Sequence, residues 1–271
     1  MSNNADMELR IVDSFETLTQ DEWDKFLDVD FFENMYIKEN ALGASENILQ
    51  NFFAPRLNEL IKEHNNKVGS LRMTYAICRH YYDKGIPDDP WYISPGKNGE
   101  SVQYFPEFKE EHWMRKYWFN FFVDAFYLKI SSVWDSIIEI INEKYEYGFQ
   151  QDLRFRANVL KKLKDDNKDL VDLFASIQSD SLYVEAQEYR TAAAHGSSAG
   201  DVSNTVTTRQ NVTIEVPEVV NGKLTKKTIN AKKVVGLGVG DYTNAKTIMT
   251  NIEQYSRFSG IKIQEAIKLM E

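Results

Sequence analysis

The chain is expected to be mainly α-helical, and three observations say so. Apolar residues recur at intervals of three and four along most of the 271 residues, the signature of helices with one buried stripe. One region departs from this: Val206–Val216 and Leu224–Val235 are β-rich and flank Asn221-Gly222, a hairpin turn pair. Four of the six prolines are gathered between Ile86 and Phe108, leaving the remaining segments largely free of breakers. The organisation predicted is an N-terminal helical extension (1–105), a helical bundle core (106–200), a β-hairpin insertion (201–240) and a C-terminal helical segment packing back on the bundle (241–271).

Each element has its own signal. Thr19-Gln20-Asp21-Glu22 is a capping box ahead of Trp23, Phe26 and Leu27. Ser45 is the expected cap of a helix running through Leu60, with Pro55 as a kink or restart. A further helix is expected from about Ser70 to Asp83. The proline-rich excursion carries Trp91, Tyr92, Tyr104 and Phe105, so it should pack against something. From Met114 to Ile141 the apolar period is the most sustained in the chain, predicting one long helix or two nearly collinear ones. Leu153–Leu163 and Leu170–Ile177 are two shorter helices. The fourth of the series begins at Asp180 or Ser181, either a good N-cap, and runs to His195. Gly196-Ser197-Ser198-Ala199-Gly200 reads as a small, flexible joint. Pro217 should end the first strand, and Gly260 should separate the last helical turns from the segment that starts near Tyr242.

Composition excludes several classes of function. Cys78 is the only cysteine, so neither a disulfide within the chain nor a cysteine-rich zinc site is possible, which suits a reducing cytoplasm. Residues 1–6 are polar and acidic without a leader pattern, and the most apolar run, Tyr117–Ile130, is interrupted by Asn120, Asp124 and Lys129, so no membrane span is expected. The net charge of −9 supplies no global field for nucleic acid. His64, His80 and His112 are scattered without metal-ligand spacing, so neither metal nor cofactor is expected. Gly236–Gly240 lacks the spacing and the βαβ context of a dinucleotide loop and reads as a strand-to-helix joint.

The chemistry is concentrated in Tyr189-Arg190-Thr191-Ala192-Ala193-Ala194-His195-Gly196. Arginine is a permanent, forked cation suited to phosphate, and histidine exchanges a proton near neutral pH. In an ideal helix, positions five apart lie ~140° apart around the axis, so Arg190 and His195 converge only where the helix ends or bends. On residues alone the reading divides: a phosphate-handling pair, or a histidine at a helix C-terminus with Arg190 ion-paired to Glu185 or Glu188.

The spacing R-x4-H, late in a series of four helices, resembles the HEPN superfamily, whose mark is R-x(4–6)-H. Phe126–Asp135 looks like the opening helix of bacterial HEPN proteins, and the order of long helix, leucine-rich hairpin and Arg/His helix also matches. The resemblance covers somewhat under half of the chain. It implies a HEPN-like four-helix bundle, a homodimer, and metal-independent cleavage of RNA at a site shared across the dimer, in defence or stress. Arg190 and His195 would be catalytic, with Thr191 and Glu188 in support. Thr191 stands where many active members carry Asn, Asp or His, and Ser197 replaces a tyrosine that is a modification site in some toxins. The predicted hairpin adds Arg209, Lys223, Lys226, Lys227, Lys232 and Lys233 against Glu215 and Glu218, a basic ribbon that either contacts RNA or guards its own strand edges. The alternatives are a non-catalytic module binding RNA or a protein regulator, and a plain helical scaffold.

Overall fold

A computed structural model describes residues 13–38, 41–42, 55–196, 198–220 and 222–271. The chain is mainly helical, with two antiparallel hairpins. Helix α1 spans Gln20–Leu27 and opens with the expected capping box: Glu22 N donates to Thr19 Oγ1 at 3.3 Å, and Thr19 N donates to Glu22 Oε2 at 2.8 Å. A 3₁₀ turn follows at Asp30–Met35. The cap expected at Ser45 lies outside the described residues. Helix α2 spans Pro55–Asp83 without a break. Pro55 is its first residue, where a missing N–H removes no helical hydrogen bond.

Helix α3, Glu110–Lys144, is the axis of the fold. It is one helix of 35 residues, roughly 52 Å long. Phe119, Val123, Phe126, Ile130, Val133, Trp134, Ile137 and Ile141 are buried along it. It packs on α2, on α4 (Phe155–Asp166) and on α6 (Ser181–His195). Helix α5, Lys168–Ser179, links α4 to α6, and Asp180 caps α6 by accepting from Leu182 N at 2.9 Å. Helix α7, Ala245–Met270, lies across α2, α5, α6 and the 3₁₀ turn.

Gly260 does not divide α7. It sits inside the helix, where an added Cβ would stand 2.7 Å from the Phe31 carbonyl oxygen and 3.1 Å from Asn34 Cβ. The residue is glycine because another segment crosses there, not because the helix ends. Between α2 and α3, the short strands β1 (Tyr92–Ile93) and β2 (Gln103–Tyr104) pair. The aromatic residues of this excursion do pack: Trp91 and Phe105 lie 5.5 and 5.2 Å from the Tyr242 ring, at the entry to α7.

The second hairpin joins β3 (Val206–Val220) to β4 (Lys223–Leu237). Strand β3 runs through Pro217, contrary to the expected stop, because each strand of a two-stranded ribbon has an open outer edge that tolerates a missing N–H. Gly222 has φ 74°, and its turn partner Asn221 lies outside the described residues. The ribbon is roughly 45 Å long and contributes nothing to the main hydrophobic core. At its base Ser203 and Asp241 exchange backbone hydrogen bonds of 2.9 and 2.8 Å.

Candidate functional site at the end of α6

Helix α6 carries the Arg/His stretch. Its inner face is Tyr183, Ala186 and the half-buried Tyr189, whose ring lies 4.9 Å from that of Tyr127 on α3. Asn251 Nδ2 donates to Glu185 Oε1 at 2.6 Å and ties α6 to α7. The helix stays regular through His195 and ends there: Gly196 takes φ 104° and donates its N–H to the Ala192 carbonyl at 3.0 Å. This is the left-handed cap for which glycine is suited.

Because no bend falls between them, Arg190 and His195 keep the ~140° separation of an ideal helix. Both are exposed. His195 shares its face with Thr191 and Glu188, and together with Val184 and Gln178 they line an open groove of about 660 Å³. Arg190 is not part of that lining. Among the described residues neither Glu185 nor Glu188 pairs with Arg190, so the surface ion pair expected for a purely structural arginine is not formed.

The other histidines are engaged. His64 is fully buried between Ser136 Oγ and the Met35 carbonyl, each at 2.8 Å. His80 contacts Glu22 Oε1 at 3.1 Å, and His112 Nδ1 accepts from Lys109 N at 3.1 Å. His195 alone has no hydrogen-bond partner among the described residues. Arg79, another arginine beside a histidine, is held by Asp83 and Glu253 at 2.8 and 3.0 Å. Burial pushes the Cys78 thiol well above its ordinary range, leaving it inert.

Residues 198–201 are pinned to α3. Lys116 Nζ donates to the Gly200 carbonyl, and Asn120 Nδ2 donates to Asp201 Oδ1 at 3.3 Å. Ser198 Oγ donates to Asp124 Oδ1 at 3.1 Å. Three side chains of α3 thus hold the joint down. Its small residues permit close approach: a Cβ on Gly200 would overlap the Asn120 amide. Lys116 is buried, with Nζ over the rings of Phe105 and Tyr242 at 5.4 and 5.3 Å. Desolvation lowers its pKa, opposed by Asp201 and Asp88. Burial raises Asp124 to about 6, against the Ser198 hydrogen bond. Sequence reading saw Asn120 and Asp124 only as breaks in an apolar run; their spacing along α3, at i, i+4 and i+8 from Lys116, was the available signal.

The basic hairpin residues divide. Lys226 pairs with Glu215 at 2.9 Å and Lys227 with Glu218 at 3.3 Å. Arg209, Lys223, Lys232 and Lys233 are exposed and enter no ion pair among the described residues. No group of three or more His, Cys, Asp or Glu among the described residues is placed to hold a metal ion.

The family model described as HEPN_Cthe2314-like HEPN matches residues 60–257, more than half of the chain and every element from within α2 to within α7. The chain belongs to the HEPN superfamily. No curated protein and no solved structure matches it. No helix among the described residues is long and apolar enough to cross a membrane.

Proposed function

We propose that the protein is a metal-independent endoribonuclease of the reducing cytoplasm, working as a homodimer in defence or stress. The observation that carries this reading is His195: exposed at a helix end, free of partners among the described residues, and open to a groove while the other histidines are tied down. Cleavage through the 2′-hydroxyl needs one group to take that proton and another to protonate the leaving 5′-oxygen. A single histidine cannot do both at once. The phosphorane that forms also needs a fixed cation, and Arg190 points away from the groove of its own chain. A second copy related by a two-fold axis supplies the second histidine, so that one can act as base and the other as acid, and adds a second Arg190 at the same helix ends. The partly apolar groove wall, with Val184 44% exposed, supports a second copy closing there. Thr191 and Glu188 lie beside His195 and would orient it. The unpaired Arg209, Lys223, Lys232 and Lys233 give a strand of RNA a local basic track on an acidic protein.

The test is cleavage of RNA by purified protein with chelator present. His195→Ala and Arg190→Ala should each lower the rate by at least ~100-fold, leaving far-UV dichroism and the melting temperature unchanged, and products should end in 2′,3′-cyclic phosphate. Undiminished cleavage by His195→Ala would overturn the assignment. A non-catalytic reading draws on Glu188 in the groove and on the net charge of −9; it predicts RNA or protein binding without turnover.

A further inference from the structure

On the other side of the pinned joint is a second concavity, of about 440 Å³. One wall is a face of α3: Trp113, Tyr117 and Phe121 succeed one another at i, i+4 and i+8, and they are 46%, 45% and 53% exposed. Three large rings are left in water on one helix face, where burial would stabilise each. Phe105, buried and held at φ 48°, lines the concavity beside Trp113. A bulky residue in the left-handed region costs about 1–3 kcal/mol. Its N–H donates to the Trp91 carbonyl at 2.7 Å, and its ring meets Trp113 edge-on at 5.3 Å, so the surroundings hold it in that conformation.

The floor is polar, and the polarity has a sense. Lys116 is committed to the Gly200 carbonyl and to two ring faces, so its charge is not open to a phosphate. Asp201 is engaged by Asn120 and by the Ser198 N–H at 3.2 Å. Asp124 accepts from the Ser198 hydroxyl and the Ala199 amide, which leaves acceptor positions on a carboxylate that has about four. A ligand here therefore meets flat apolar walls and a hydrogen-bond acceptor.

We propose that this cavity binds a guanine base, stacked on Trp113, Tyr117 and Phe121 and read by the carboxylate of Asp124. Guanine alone among the four bases offers two adjacent N–H donors on its pairing edge, matching two carboxylate oxygens. Adenine and cytosine place a ring acceptor beside their one amino group, and uracil sets its one N–H between two carbonyls. Negative charge at Asp124 and Asp201 excludes the phosphate from the floor, so the base enters first. The base belongs either to single-stranded RNA or to a free nucleotide. Ser198 is three residues from His195, so their Cα atoms are at most ~11 Å apart, and one strand can reach both. In its RNA form the proposal rests on the nuclease reading and adds a base preference to it.

The experiment uses full-length His195→Ala protein, so that RNA stays intact, with tryptophan fluorescence and calorimetry as readouts. The ligands are guanosine, adenosine, and a 12-mer of uridines with or without one central guanosine. Guanosine should bind at least ~10-fold more tightly than adenosine, and the guanosine-containing 12-mer at least ~10-fold more tightly than oligouridine. Asp124→Asn should erase the preference, and Phe121→Ala, at an exposed position, should weaken all bases. Equal binding of guanosine and adenosine, or a preference that survives Asp124→Asn, overturns the proposal. Guanosine binding by the variant, when neither it nor the wild-type protein binds RNA and the wild-type protein does not cut it, upholds the cavity with a free nucleotide as its source and removes the nuclease reading. RNA cleavage by the wild-type protein, with no base preference in binding to the variant, does the reverse.

Discussion

The two ionisable residues with the best-defined environments, His64 and Asp124, pull stability in opposite directions over one range of pH. Burial keeps His64 neutral in the fold, where its ring nitrogens lie 2.8 Å from the Met35 carbonyl and the Ser136 hydroxyl. Burial lowers its pKa from 6.5 to about 4. The unfolded chain therefore takes up this proton first, and the stability His64 confers above pH 6.5 is lost as the pH falls toward 4, on the order of 3 kcal/mol in full. Asp124 is raised from 3.8 to about 6, so the folded state is the first to take up its proton, and acidification across that interval stabilises. Wild-type protein should thus lose less stability between pH 6.5 and 4 than Asp124→Asn, in which the His64 loss is unopposed. Urea unfolding at the two pH values measures the difference. Equal losses in the two proteins would sink the assignment. Neither shift was legible in the sequence, because both come from burial under segments far along the chain: Ser136 packs on His64 from 72 residues away, and Ser198 on Asp124 from 74.

Elements governed by local rules were legible, and those governed by crossings were not. The capping box at Thr19, the cap at Asp180, the long α3 and the end of α6 at Gly196 follow from periodicity and capping, which neighbouring residues decide. The site was legible to the same extent: Arg190 and His195 stand on the predicted helix end, but the face that groups His195 with Thr191 and Glu188 and excludes Arg190 needed the geometry. Gly260 shows what misleads. A glycine in a helical pattern suggests a break, yet here it makes room for the Phe31 carbonyl, which lies 229 residues earlier in the chain. Gly260→Ala separates the two explanations. Helix propensity alone predicts a gain of about 1 kcal/mol. A methyl 2.7 Å from a backbone oxygen must displace the 3₁₀ turn, and overpacking of this kind costs about 1–3 kcal/mol. The expected result is a net loss of up to about 2 kcal/mol in chemical denaturation, whereas a gain would mean that the turn yields freely.

At the scale of the molecule, charge and packing divide it into two unlike parts. The helical body holds the core and the acidic surplus. The β3–β4 ribbon holds six basic residues against two acids, has mostly exposed side chains on both faces, and is closed at its base by the Ser203–Asp241 backbone pair. A two-stranded ribbon is at best marginally stable alone, and this one draws no support from the main core. Polyanionic RNA fits its charge. Replacing residues 206–237 with a short Gly-Ser link across the Ser203–Asp241 base should leave the melting temperature within a few degrees, because no core residue is removed. If the ribbon tracks RNA, affinity should fall at least ~10-fold at low salt. The four cations free of ion pairs among the described residues would each release about 0.7 of a counterion from a single strand, so the slope of log affinity against log salt should flatten by up to ~3. A truncated protein that melts much lower would mean that the ribbon buttresses the bundle. Unchanged affinity and slope would assign RNA contact to the body alone.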